Sequence, residues 1–356
     1  MNGTVILRAA GQRLWLDTIS RRLLDSGTLE RYIDVYGLTG VTSNPTILSR
    51  EMGEDERQLG PAEHANTGPG DPEASVVAEA VRDVQRAADL FKPQWETSGG
   101  DDGWVSIEVP PALAYRGAAT VQEGRRLHAQ VDRPNVFIKV PATSPGVAAI
   151  EVLTLAGVPT NATLVFDTRQ QRAVENSYLR GLERRTRMGL LPFVASVASV
   201  FISRWDAATN HLLPSTAHNL LGLHMAHSID RQHREALDTP RWSMLRDRGA
   251  TPQRLVWAST APKDPDLAPT YYAHRLPLPD TVDTMPENVL LALAQAPSFS
   301  LTGPRAEPGN LTPSTLAACG VDETRIAQTL QRAGVQAFAA DWDRLLAANR
   351  PRVDVS

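Results

Sequence analysis

Of 36 basic residues in this chain of 356, only Lys92, Lys139 and Lys263 are lysine; the rest are arginine. A guanidinium stays protonated and cannot act as a nucleophile, whereas a desolvated amine can lose its proton and attack carbon. The three lysines are therefore the first residues to read for chemistry. Lys139 lies in Asn135-Val-Phe-Ile-Lys-Val-Pro141, an apolar frame with the period of a strand. Alternation puts Phe137 and Lys139 on one face and Ile138 and Val140 on the other. Apolar surroundings disfavour an ammonium ion and would leave a free amine able to form a Schiff base with a ketone. The plainer reading of such a lysine is a partner for a buried carboxylate.

The same parity places other polar residues inside apolar frames: Trp15 with Asp17, Thr42 with Asn44, Ser106 with Glu108, and Asn161 with Thr163. Schiff-base chemistry needs one carboxylate to take the hydroxyl proton that starts carbon-carbon cleavage, and another to activate water for imine formation and hydrolysis. Asp17 and Glu108 are the candidates. Asn44 and Asn161 can hold carbinolamine and enamine hydroxyls without adding charge, and Thr163 can orient the water. Thr42 faces the same centre and is grouped with the substrate-binding residues. An anion site is expected where Ser199-Val-Phe-Ile-Ser-Arg204 closes a strand and opens a helix, with Ser259 and Lys263 adding a hydroxyl and a second cation.

Positioning these groups requires parallel strands. Eight segments read as strands: Arg13 to Asp17, Gly40 to Pro45, Trp104 to Val109, Asn135 to Pro141, Pro159 to Phe166, Phe193 to Val200, Arg254 to Thr260 and Asp280 to Met285. Helical periodicity fills most gaps, as in Ile19 to Tyr36, Ala74 to Phe91 and Thr168 to Met188. The alternation predicts an α/β fold, a single eight-stranded parallel β/α (TIM-type) barrel over residues 1–297. Residues 298–356 read as a C-terminal helical extension packed on it, ending in a helix over Gln328 to Asn349, and the stretch Gly53 to Asp71 reads as a mobile loop.

Composition narrows the partners. Cys319 is the single cysteine, which excludes an intramolecular disulfide and a cysteine-based metal site. His218, His224 and His227 lack a carboxylate at matching spacing and read as helix-surface or interhelical histidines, so no metal is expected. A net charge of −4 without blocks of like charge predicts no nucleic acid partner and no anionic membrane surface. No apolar run approaches the ~18 residues of a membrane span, and no leader pattern is seen, so a cytoplasmic, soluble chain is expected.

From about Arg13 to Leu293 the chain resembles the transaldolases, in particular their longer bacterial branch. The markers are Leu14-Trp-Leu-Asp17, Gly40-Val-Thr-Ser-Asn-Pro-Thr46, Ser106-Ile-Glu108, Phe137-Ile-Lys-Val-Pro141, Thr160-Asn-Ala-Thr163, Ser196-Val-Ala-Ser-Val-Phe-Ile-Ser-Arg204 and Asp280-Thr-Val-Asp-Thr-Met-Pro286. The resemblance implies transfer of a dihydroxyacetone unit between sugar phosphates, with no metal and no organic cofactor. It implies Lys139 as the Schiff-base lysine, Asp17 as the acid/base, Glu108 with Thr163 as the water-activating pair, and Asn44 and Asn161 as holders of the intermediate. Ser199 and Arg204 would bind phosphate, and Phe201, where fructose 6-phosphate aldolases carry Tyr, favours transfer over simple cleavage.

Four positions depart from that pattern. Ala261 and Pro262 replace an expected Gly and an N–H donor, Asp283 stands in place of Asn, and Asp167 in place of Ser. They keep two alternatives open: a specialised enzyme acting on another sugar phosphate, and a catalytically inactive sugar-phosphate-binding relative. Monomer and homodimer are both compatible with the sequence.

Overall fold

The computed structural model describes residues 2–43, 72–296, 301 and 311–349. Its strands are β1 (Arg13–Leu16), β2 (Gly40–Thr42), β3 (Trp104–Glu108), β4 (Val136–Pro141), β5 (Thr160–Val165), β6 (Ser196–Phe201), β7 (Arg254–Ala258) and β8 (Val282–Met285). All neighbours pair in parallel and β8 returns to β1, giving the expected closed barrel in chain order. The described helices are α1 (Gly3–Ala9), α2 (Arg21–Asp25), α3 (Thr28–Tyr36), α4 (Pro72–Thr97), α5 (Gly117–Val131), α6 (Ser144–Leu155), α7 (Thr168–Arg187), α8 (Ser203–Thr209), α9 (Leu221–Leu237), α10 (Pro240–Arg246), α11 (Glu287–Gln295), α12 (Pro313–Ala318) and α13 (Glu323–Ala348). No helix among the described residues is long and apolar enough to cross a membrane.

Strand parity divides the core in two. Outward residues such as Leu14, Ile107, Ile138, Val140 and Trp257 pack against the helices. Each fully buried side chain of this kind contributes roughly 1.5–3 kcal/mol. Inward residues Trp15, Trp104, Phe137, Val197, Val256 and Val282 form a separate apolar plug. Within it Trp104 stacks on Phe137 with centroids 4.1 Å apart. Gly40, in register with Trp15 and Trp104, makes room for the plug: a Cβ there would lie 2.6 Å from both the Trp15 ring and the Trp104 carbonyl. The plug fills the N-terminal half of the barrel and leaves polar residues to line the other end.

The structure corrects several boundaries. The periodic run Ile19 to Tyr36 is two helices, because Ser20 caps the first and Gly27, at φ +68°, turns the chain before the second. The sixth strand begins at Ser196 rather than Phe193, whose side chain is exposed, and extends through Phe201. Asp17 follows the end of β1. Asp167, the departure from Ser, keeps a capping role: its carboxylate accepts from Gln170 N at 2.7 Å and starts α7. The expected loop Gly53 to Asp71 lies outside the described residues.

Helix α13 is seated on the C-terminal ends of β4 and β5. Gln331 Nε2 donates to the Ala142 and Leu164 carbonyls at 2.9 and 3.0 Å. Leu164 has φ +59° where the β5–β6 register shifts. That irregularity frees its carbonyl for the helix and turns its side chain into the cluster holding Phe166, Phe201, Val335 and Phe338.

Candidate active site

The C-terminal end of the barrel opens into a cleft lined by Asp17, Thr42, Lys139, Thr163, Ser199, Phe201, Arg204, Ser259, Lys263, Thr284 and Phe338, among others. Lys139 is its centre. Glu108 and Lys139 are register partners on β3 and β4, and Lys139 Nζ stands 3.1 Å from Glu108 Oε2 with both side chains buried. The amine also donates to the Ser43 carbonyl at 3.0 Å, and the Phe338 ring lies 5.7 Å away. The head group is thus held by a carboxylate, a carbonyl and a ring face rather than by apolar neighbours alone. The inward lysine and the lysine paired with a carboxylate, set apart as alternatives in the sequence, are one side chain here. The rarity of lysine marks the cleft at Lys139 and Lys263 but not at Lys92, which sits exposed on α4 near Glu96.

Two carboxylates flank the amine in different surroundings. Asp17 is pushed up to about 6 by burial, with Lys139, Thr18 and Lys263 opposing. Burial also pushes the Glu108 carboxyl up, against the charge of Lys139. Glu108 does not line the large cleft; it faces a small neighbouring, mostly apolar pocket with Ser43 and Trp342. Lys139 therefore stands between a carboxylate on the cleft side and another behind it.

Asn161 lies one layer down. It is fully buried, donates from Nδ2 to Ser106 Oγ at 3.1 Å and accepts from Ser199 Oγ at 2.8 Å. The chain of Ser106, Asn161 and Ser199 braces β3, β5 and β6 beneath the lysine, and Ser199 reaches the cleft while its hydroxyl is committed to Asn161. By contrast Thr163 Oγ1 and Thr284 Oγ1 are buried without a hydrogen-bond partner among the described residues, and both residues line the cleft. Buried hydroxyls without a partner are uncommon, which marks both as polar positions the fold itself does not satisfy. Asn44, the other expected amide, lies outside the described residues.

The residues expected to form an anion site lie on the wall of the same cleft. Arg204 opens α8, stacks over the Phe201 ring at 5.1 Å, and makes no hydrogen bond or salt bridge among the described residues. Burial pulls its guanidinium below the ordinary value, with Asp341 opposing. Ser259 adopts φ +56°, joined to Ser203 by a hydroxyl contact of 2.9 Å and a backbone bond from Ser203 N to its carbonyl. Ala261 and Lys263 follow on the same wall.

Asp283 points the other way. Its neighbours Val282 and Thr284 face into the barrel, so Asp283 faces the apolar layer outside it. It is fully buried, with neither oxygen hydrogen-bonded among the described residues. Burial pushes it up to about 7, Thr260 opposing and Asp17 adding. Asp283, the departure from Asn, therefore lies outside the cleft. Thr284 and Phe338 were missed by sequence reading. Thr284 shares the inward parity of Val282, a signal present in the chain, whereas Phe338 belongs to a helix whose docking place no local pattern specifies.

The sequence profile of the family described as Transaldolase/Fructose-6-phosphate aldolase matches residues 14–349. Curated transaldolases from Mycobacterium bovis and Mycobacterium tuberculosis are each 37% identical over 365 residues, covering 98% of this chain and 97% of theirs. A transaldolase from Frankia alni is 37% identical over 350 residues, covering 96% of this chain and 94% of its own. A solved putative fructose-1,6-biphosphate aldolase from Coccidioides immitis is 10% identical, covering 97% of this chain and 96% of its own with a TM-score of 0.26, too low to carry an argument. The chain belongs to the transaldolase/fructose-6-phosphate aldolase family.

Proposed function

We propose that this enzyme is a transaldolase that transfers a dihydroxyacetone unit from a ketose phosphate, sedoheptulose 7-phosphate or fructose 6-phosphate, to an aldose phosphate through a Schiff base on Lys139. The observation that carries the reading is Lys139, paired with buried Glu108 at 3.1 Å and itself lining a cleft that also holds Arg204.

In this reading Lys139 Nζ attacks the ketone carbon. Glu108, already against the amine, shuttles protons as the carbinolamine loses water, and Thr163 orients that water. Asp17, on the cleft side, takes the hydroxyl proton that starts carbon-carbon cleavage and returns it when the acceptor aldehyde adds. Asn161 supports the floor through Ser106 and Ser199, and Asn44 completes the amide pair. Arg204, Lys263, Ser199 and Ser259 hold the phosphate, while Thr42 and Phe201 bound the sugar. No metal or organic cofactor enters these steps. The enzyme works in the cytoplasm, in the pentose phosphate pathway, as a monomer or homodimer, with sugar phosphates rather than nucleic acid or membrane as partners.

The test is borohydride trapping with fructose 6-phosphate, which should leave one reduced dihydroxyacetone unit on Lys139, a gain of dihydroxyacetone less one oxygen. Glyceraldehyde 3-phosphate should be released on turnover only when erythrose 4-phosphate is supplied. An adduct without transfer to that aldose would assign the machinery to another acceptor, the reading toward which Ala261 and Pro262 lean.

A further inference from the structure

Phe338 comes from α13, beyond the eight β/α units, yet its ring forms part of the cleft wall. Lys139 Nζ stands over the ring, 5.7 Å from its centroid. The ring is 3% exposed and packs with Leu164, Phe166 and Phe201. Gln331, seven residues earlier on the same helix, fastens that helix to the carbonyls closing β4 and β5. The ring is therefore held in place relative to the amine by the strand that carries the amine. A phenyl ring neither gives nor takes a proton; what its face offers is attraction for a cation, strongest where water is excluded.

We propose that Phe338 is a positioning residue that holds the iminium nitrogen formed at Lys139 against its ring face and so favours the covalent intermediate. The inference rests on the Schiff-base reading above. In forming that intermediate the amine nitrogen bonds to the ketone carbon. One N–H proton and one proton from a neighbouring acid then leave with the ketone oxygen as water, and a C=N⁺–H group remains. The amine that attacks the ketone is uncharged, whereas the iminium nitrogen is cationic for as long as it persists, so the ring face directed at that atom attracts the intermediate more than the free amine it forms from.

The experiment replaces Phe338 in the full chain by mono-, tri- and pentafluorinated phenylalanine, which nearly preserve ring volume while progressively removing negative potential from its face. The quantity read is the equilibrium fraction of Lys139 trapped by borohydride over a titration of fructose 6-phosphate. The adduct formation constant should fall stepwise along the series, by about two- to thirtyfold in total. KM for the acceptor aldose, set at Arg204, should stay constant. Phe338→Leu should match the most fluorinated ring, and Phe338→Tyr should restore the constant. A flat series with the adduct still forming overturns the proposal and reduces Phe338 to packing. Absence of any adduct in the unsubstituted enzyme overturns the Schiff-base reading itself.

Discussion

Glu108 and Lys139 occupy partner positions on adjacent parallel strands, and their side chains meet at 3.1 Å inside the barrel. Neither can be altered without leaving the other buried without its partner, which is costlier than exchanging a surface ion pair. Glu108→Gln keeps the shape and removes the proton acceptor. Turnover should drop about 10²- to 10⁴-fold, with the Lys139 adduct still forming, more slowly. Rapid-quench trapping followed by mass spectrometry checks this; an unchanged trapping rate would remove Glu108 from imine formation.

Lys139→Ala should abolish the adduct and the transfer activity together, since Lys263 is the only other lysine lining the cleft. Residual transfer above the uncatalysed rate, measured by coupled release of glyceraldehyde 3-phosphate, would contradict the mechanism.

Asp17 ionises at about 6 in the folded enzyme. If it must be ionised to take the sugar hydroxyl proton, kcat/KM should decline as pH falls through about 6 and level off above 7. In Asp17→Asn that inflection should vanish while the adduct persists, read from a pH profile of kcat/KM beside borohydride trapping.

Asp283 is raised from 3.8 to about 7 by burial in the apolar layer. A carboxyl with a raised folded-state value contributes stability that is fully present below about 3.8 and lost as pH rises through about 7. Asp283→Asn should therefore stabilise the protein on the order of 2–4 kcal/mol at pH 8 and gain little below pH 4. Denaturant titrations at the two pH values decide it: equal gains at both would mean the carboxyl does not titrate on unfolding.

Arg204→Ala should raise KM for phosphorylated substrates about 10- to 100-fold, consistent with loss of a charge-assisted hydrogen-bonding group. Reaction with unphosphorylated dihydroxyacetone should be nearly unaffected. An equal loss with both donors would show that Arg204 instead supports the fold through Phe201, which it overlies.

Strand parity, a local property of two-residue period, sufficed to place Lys139, Asp17, Glu108 and Thr163 on the inward side, and the alternation of strands and helices sufficed for a barrel. Sequence alone also marked Ser199 and Arg204, because a strand that ends by opening a helix is visible in the chain. What only tertiary structure decided is distance and company. Asn161 is spent between Ser106 and Ser199, Asp283 is turned out of the cleft by the same parity that turns Thr284 in, and Phe338 is carried to Lys139 by a helix 199 residues later in the chain. Inward or outward is set by neighbours along one strand. Which helix covers the mouth is set by the Leu164 carbonyl at the β5 irregularity, the Ala142 carbonyl after β4 and the apolar cluster around Leu164, contacts between segments whose separation no local pattern encodes.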